Sequence, residues 1–378
     1  MGDILKIGSL NIPATRWEDA LDYFSKIYVF CNETEKELKN ENIIYIKFPS
    51  YKILNKLLYK VLNRTLQRNK LDWISWTIIF VMRIINYNVL HEVKRRSYDI
   101  IHSSYNDFDE SALLTALLGL KGKYSRAQKE TRLSYSYLEK KCFIDAKKII
   151  LNAKENLDLY ISKYGNIFDG KEVQIGPDED VRSKRILQNI VYDKKYSEVD
   201  KKIHAVILAG RVLSTSTDKR SGGRLFYIPM IEELLRAGFV VHLHTGAIVE
   251  YEGKNPYKEL AENNSDFVIE EKLDFLNDTI NAYKILSRYD VGVLHAHIVD
   301  TEVTEFDKVN IPHRYYEYEL AHVVPIEKRG GNILMEKKAE ERHALIYDEL
   351  NDISIEKIQC IEWDKPTFEE YVKEVFQK

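Results

Sequence analysis

Residues Ile311–Ile326 read IPHRYYEYELAHVVPI. A proline start, a short helix carrying the carboxylate of Glu317, and an apolar strand follow one another within this stretch. Upstream, Tyr289–Leu294 reads YDVGVL, an apolar strand with an acidic residue near its start. A strand, a loop, a proline-started helix bearing Glu and a second strand form a recurrent frame for a nucleotide. In such a frame a carboxylate can accept hydrogen bonds from two adjacent ribose hydroxyls, which a neutral acceptor does less well. Standing alone, a Glu between Tyr316 and Tyr318 is equally read as a solvated helix residue.

Working outward, short apolar runs alternate with longer helix-period stretches along the whole chain, the signature of parallel α/β sheets. In the first half the strands are expected at Ile4–Ser9, Lys26–Cys31, Ile43–Phe48, Asp99–His102, Lys123–Ala127, Lys147–Leu151 and Glu172–Ile175. In the second half they are expected at Ile203–Ala209, Phe239–His244, Phe267–Ile269, Tyr289–Leu294 and Val323–Ile326. The polar segment from Gly176 to Asp200 lacks a regular apolar period and reads as a linker. The expected organisation is a first domain over 1–176, a linker over 177–201, a second domain over 202–350, and a tail over 351–378 with a helix near Thr367–Gln377.

The bulk numbers suit a folded two-domain protein. The chain has 378 residues, 44% hydrophobic and 30% charged, with a net charge of −3; that balance gives no reason to expect nucleic-acid binding. Cys31, Cys142 and Cys360 are far apart and lack metal spacing, so they read as buried thiols in a reducing compartment. The start MGDILKIGSL has no basic region followed by a long apolar run, so the cytoplasm is the expected address.

The segment from Pro312 to Pro325 resembles the donor motif of GT-B glycosyltransferases, of the family 4 (group 1) type. Its outline is roughly P-S/N-K-x-F/Y-E-Y-x-x-A/G-G-x-P. Pro312, Arg314, Tyr316, Glu317, Tyr318, Ala321 and Pro325 fit that outline, with one extra residue before the last proline, and His322 stands at the glycine. The resemblance covers about 300 residues and implies two Rossmann-like domains facing across a cleft, with a carboxy-terminal helix crossing back onto the first domain. It implies that the second domain binds a nucleotide-diphosphate sugar as substrate, with no cofactor, and that the first binds a glycan or lipid-linked acceptor. Many retaining members carry a second glutamate in an E-x7-E arrangement; counting back from Glu317, that place is Val309.

The chemistry-bearing residues follow. After the strand ending at Ala209, Gly210 lets the backbone approach a ligand, and Arg211, Lys219, Arg220 and Arg224 supply charge for a diphosphate. The bland reading of that loop is a solvated basic turn. By resemblance, Arg211 and Lys219 hold the pyrophosphate, with Gly210, Arg220, Arg314, Tyr316 and Glu317 completing the donor side. No G-x-G-x-x-G follows an expected strand, which argues against a nicotinamide enzyme. In the first half His102 ends a strand and is either a contact to the acceptor or a packed histidine. Arg126 and Glu130 follow the next strand, with Glu130 the leading catalytic carboxylate beside His102. Ser9 and Asn11, after the first strand, are expected acceptor contacts. No Asp-x-Asp pair stands at a strand end in the second half, so no metal is expected.

Between 51 and 83 the chain is cationic and apolar. Lys52, Lys56, Lys60, Arg64 and Arg68 recur every fourth residue, with Ile53, Leu54, Leu57, Leu58, Val61 and Leu62 on the adjoining faces, and WISWTIIFVM follows at Trp73–Met82. Ten residues are too few to span a bilayer. The stretch reads either as an interfacial helix on anionic lipid, peripheral to the inner face of the plasma membrane, or as a surface helix covering its own sheet. Two rivals to a transferase stand beside it: a nucleotide-sugar epimerase or hydrolase, and a non-catalytic partner subunit favoured by Val309.

Overall fold

The computed structural model describes the chain except residues 1, 9, 11–15, 34–36, 51, 105–107, 129–134, 177–187, 216–224, 276, 296–307, 364–366 and 378. It divides into two compact units, Met1–Arg185 with Pro366–Lys378, and Ile186–Lys365.

The first unit is built on β1 (Asp3–Ile7), β2 (Lys26–Asn32), β3 (Ile43–Phe48), β4 (Ile100–Ser104), β5 (Ser125–Gln128), β6 (Lys148–Leu151) and β7 (Glu172–Ile175). They form one sheet in the order β3-β2-β1-β4-β5-β6-β7, with every recorded pairing parallel. Parallel strands need crossover helices, and those helices cover both faces, so the strands read as near-continuous apolar runs. Leu5, Ile7, Tyr28 and Phe30 face one core with the helices Ile53–Thr65, Asp72–Ile85 and Phe108–Leu118. Ile4, Ile27, Val29 and Cys31 face the other, which is closed by Trp17 and by Phe368, Tyr371, Val372 and Val375 of the last helix, Phe368–Phe376. Cys31 and Cys142 are buried as expected, whereas Cys360 is exposed, capping the carboxyl end of the short helix Ile355–Gln359.

The second unit contains β8 (His204–Ala209), β9 (Val212–Leu213), β10 (Val240–Thr245), β11 (Ile248–Val249), β12 (Phe267–Glu271), β13 (Val291–Val293), β14 (Val324–Lys328) and β15 (Leu345–Tyr347). Its main sheet runs β12-β10-β8-β13-β14-β15, again parallel. Counted along the chain, both sheets run third, second, first, fourth, fifth and onward. Connections leave the first and fourth strands in opposite directions, which opens a crevice beyond their carboxyl ends where ligands bind in such folds. In the second unit that point lies between β8 and β13. The small pair β9 and β11, like β15, was not expected; its strands hold the loop after β8 against the loop after β10. Those loops touch closely enough that a Cβ on Gly246 would lie 2.8 Å from the carbonyl oxygen of Gly210.

His322 takes φ +55°, a left-handed conformation that favours glycine at a helix end. Its ring is stacked between Tyr192 (4.2 Å) and Trp363 (5.0 Å). The stacking offsets the backbone cost of a side chain where the motif has glycine.

Candidate functional site

The site begins where β8 and β13 part. Their pairing ends after two residues, Val291 with Ala205 and Gly292 with Val206. The Tyr318 hydroxyl enters the gap beyond. It lies 3.2 Å from the Val206 carbonyl and 3.1 Å from the Val293 carbonyl, and accepts from the Leu208 N–H at 3.2 Å. One phenol thereby serves the backbone groups of two strands that no longer pair with each other. It also docks the helix Arg314–Leu320 against the end of β8.

One turn before Tyr318, Arg314 donates to the Tyr227 hydroxyl at 2.7 Å, with its guanidinium 6.0 Å from that ring's centre. Tyr227 is fixed in turn, its N–H donating to the Tyr257 hydroxyl at 2.9 Å, while that hydroxyl donates to the Leu213 carbonyl at 3.0 Å. Gly210 and Arg211, directly after β8, are exposed, and Arg211 makes no hydrogen bond or ion pair among the described residues. A free guanidinium beside a glycine turn and a second one held by a phenol suit an anion with several oxygens.

Glu317 is not the solvated carboxylate that isolated reading allowed. It is buried; it accepts from the Tyr283 hydroxyl, and Nδ1 of half-exposed His313 lies 3.5 Å from its other oxygen. Tyr316 is half-buried, packed edge-on against Tyr315 at 5.2 Å. Lys219, Arg220, Ser9, Asn11 and Glu130 lie outside the described residues.

His102 and Arg126 are placed differently from the sequence expectation. His102 is fully buried, with Nδ1 2.8 Å from the Ser125 hydroxyl, Nε2 3.3 Å from the Tyr371 hydroxyl, and the Phe376 ring 4.9 Å away. It is the packed histidine of the two alternatives, since the last helix closes over it. Arg126 is also buried, donating to Ser103 (2.7 Å), Ser111 (3.0 Å) and Gln128 (3.1 Å). A guanidinium so engaged organises the ends of β4 and β5 and does not present itself to an acceptor.

No protein-family profile and no curated protein sequence matches the chain. Solved structures do. A trehalose-6-phosphate protein from E. coli bound with UDP-2-fluoro glucose superposes with a TM-score of 0.55 at 12% identity, covering 95% of this chain and 90% of that one. An α,α-trehalose-phosphate synthase (UDP-forming) from Burkholderia vietnamiensis gives 0.54 at 12% identity, over 95% and 88%. The S. aureus MnaA–UDP co-structure gives 0.51 at 10% identity, over 99% and 94%. The fold is GT-B.

Within this GT-B fold, sequence reading placed Tyr318 in the motif without a role, and missed Tyr227, Tyr283, His295 and Glu327. His295, just after β13, has Nδ1 2.8 Å from the buried carboxylate of Glu327 near the end of β14. Only Tyr318 carried a local signal, four residues after Arg314 on one helix face. The others meet their partners across the sheet.

A histidine cluster lies along β8 and β10 of the same sheet. His204 Nδ1 is 3.0 Å from His242 Nε2, so one ring must donate and the other accept. His242 Nδ1 lies 3.2 Å from Glu270, and His244 Nε2 lies 2.8 Å from the Tyr289 hydroxyl. Burial, outweighing the bond to Glu270, holds His242 down to about 4, and burial also lowers His244. The unfolded chain takes up protons near the ordinary histidine value of about 6.5, where native His242 and His244 do not. Stability therefore falls as pH drops from about 6.5 toward 4, by on the order of 1–3 kcal/mol through His242. Thermal melts across that window should show the decline, and His242→Gln should flatten it. Equal slopes for both proteins would remove His242 as the cause.

Proposed function

We propose that this chain transfers a sugar from a nucleotide-diphosphate sugar to a glycan or lipid-linked acceptor, as in cell-surface polysaccharide or glycoconjugate synthesis. The observation that carries the reading is the pair of guanidiniums at the switch point: Arg211 beside Gly210, without a partner among the described residues, and Arg314 held by Tyr227. Two fold neighbours are described with UDP or a UDP-sugar analogue, which makes uridine nucleotides the first class to test.

In this reading Arg211 and Arg314 neutralise the diphosphate, with Lys219 and Arg220 adding charge from the same loop. Charge accumulates on the leaving diphosphate as the glycosidic bond breaks, so fixed guanidiniums stabilise the transition state more than the ground state. They supply this without an obligatory metal, and net retention is the outcome the resemblance implies. Glu317, oriented by Tyr283, accepts the ribose hydroxyls on exchanging its contact with His313. Ser9, Asn11 and Glu130 remain proposed for the acceptor side, with His102 and Arg126, both buried, as positioning residues for it.

Calorimetric titration of UDP, GDP and ADP tests the reading. A charge-assisted hydrogen bond contributes roughly 1.5–3 kcal/mol, so Arg211→Ala should weaken the preferred nucleotide about tenfold to a hundredfold. Folded protein that binds none of them, or an Arg211→Ala variant that binds as well as wild type, would overturn the donor site. A second reading, a binding subunit without turnover, is favoured by Val309, which is buried and offers no carboxylate at the place of the first glutamate. It predicts nucleotide-sugar binding with neither transfer nor sugar release.

A further inference from the structure

The helices Ile53–Thr65 and Asp72–Ile85 each carry more apolar surface than the core uses. The first turns Asn55, Leu62 and Thr65 inward, yet leaves Ile53 (78% exposed), Leu57 (56%) and Val61 (47%) on an outer stripe at four-residue spacing. The second buries Ser75, Ile78, Ile79 and Met82. On its opposite side Trp73 is 68% exposed and Ile84 61%, with Trp76 and Phe80 stacked at 5.5 Å between them. The water-facing side of a soluble helix is ordinarily polar; this helix is apolar on both sides.

Charge accompanies the apolar ridge. Lys52, Lys56, Lys60, Arg64 and Arg68 are exposed along the first helix and the turn after it, and no acidic residue occurs between Tyr51 and Lys70. The acid that follows, Asp72, accepts from the Tyr135 hydroxyl at 2.6 Å. Arg83, the cation within the second helix, folds inward onto the Ala116 carbonyl, which leaves the outer ridge uninterrupted.

We propose that this helical pair docks on an anionic lipid bilayer, with the Trp73–Ile84 ridge in the headgroup–acyl boundary and the lysine stripe against the phosphates. An aromatic ridge running beside a cationic one needs an occupant that is negative and apolar over the same length. A bilayer surface supplies both, whereas a protein groove lined with acids would leave the ridge in a polar setting. Among the described residues no single helix is long and apolar enough to cross a membrane, and the pair that together would be, Asn69–Ile85 with Tyr87–Lys94, is bent by 83°. Ile78, Ile79 and Met82 are committed to the core, so only the outer ridge is seated in the interface. This inference is independent of the proposed transferase activity.

The test uses the full chain with vesicles of phosphatidylglycerol and phosphatidylcholine, against phosphatidylcholine alone. Co-sedimentation should favour the anionic vesicles and weaken with salt. Tryptophan emission should shift to the blue; Trp17 is buried and Trp363 is stacked on His322 in the second unit, so the part of the shift lost in a Trp73→Ser/Trp76→Ser variant reports Trp73 and Trp76. Lys56→Glu/Lys60→Glu should lower vesicle affinity at least about thirtyfold. Trp73→Ser/Trp76→Ser/Phe80→Ser should abolish binding while the melting temperature is kept, since the three side chains are exposed. Wild type that stays in the supernatant with both vesicles would overturn the proposal, as would triple and charge variants that bind undiminished. A concentration-dependent dimer that the triple variant dissolves, with no vesicle binding by wild type, would assign the face to a second copy instead.

Discussion

A chain ending before Thr367 should lose cooperative folding of the first unit. The final helix is specified by a capping box, in which the Thr367 N–H donates to Glu370 at 2.8 Å and the Glu370 N–H donates to the Thr367 hydroxyl at 3.4 Å. Its inner side places Phe368, Tyr371 and Val372 at 0% exposure and Val375 at 5% against the sheet. Phe368 meets Trp17 edge-on at 5.1 Å. Four such side chains contribute roughly 1.5–3 kcal/mol each, a sum comparable to the whole stability of a domain. Denaturant titration of the truncated chain should show a lost or early transition for this unit. Tyr371→Ala in the full chain should cost about 3–5 kcal/mol. A truncated chain that melts with the full-length protein would make the helix an accessory and leave the burial of His102 unexplained.

Gly292→Ala should be the most damaging single methyl in the second unit. A Cβ there would lie 2.4 Å from the Tyr318 ring, closer than real side chains approach. The ring has little room to give way, because Tyr318 is fully buried and its hydroxyl is anchored to β8 and β13. Overpacking of this kind costs about 1–3 kcal/mol, and more when buried backbone groups are unpaired with it. The expected result is a lowered melting temperature together with loss of nucleotide affinity, since displacing Tyr318 tilts the helix that carries Arg314. Tyr318→Phe separates the two effects: it removes the hydroxyl without the clash, and should lower stability by about 1–3 kcal/mol. Gly292→Ala with unchanged melting and unchanged nucleotide binding would show that the helix can shift freely at the switch point.

Both cases mark where sequence reading stopped. In YDVGVL the glycine looked like an ordinary strand residue, and its requirement comes from a ring 26 positions later. His102 stood at a strand end, where it could equally contact ligand or pack. The choice was made by Tyr371 and Phe376, more than 260 residues away in the chain. Likewise the repeat from Lys52 to Arg68 was plain at helical spacing, but which apolar stripe the core would take and which it would leave outside was not.

What the sequence determined by itself was periodic and local. Strands such as Lys26–Asn32 and His204–Ala209 fall within a residue of where their apolar runs predicted, because a strand buried on both faces writes its apolar character into consecutive residues. The motif around Glu317 announced the GT-B fold in the same way, as a fixed succession of proline, helix and strand. Strand order, the burial of His102 and Arg126, the Tyr227–Arg314 pair and the phenol between β8 and β13 were decided only by the tertiary structure. Each joins groups distant in sequence through a hydrogen bond or a contact of a few ångströms. Backbone geometry repeats every two or 3.6 residues and leaves its trace in the chain; a contact between strangers leaves none.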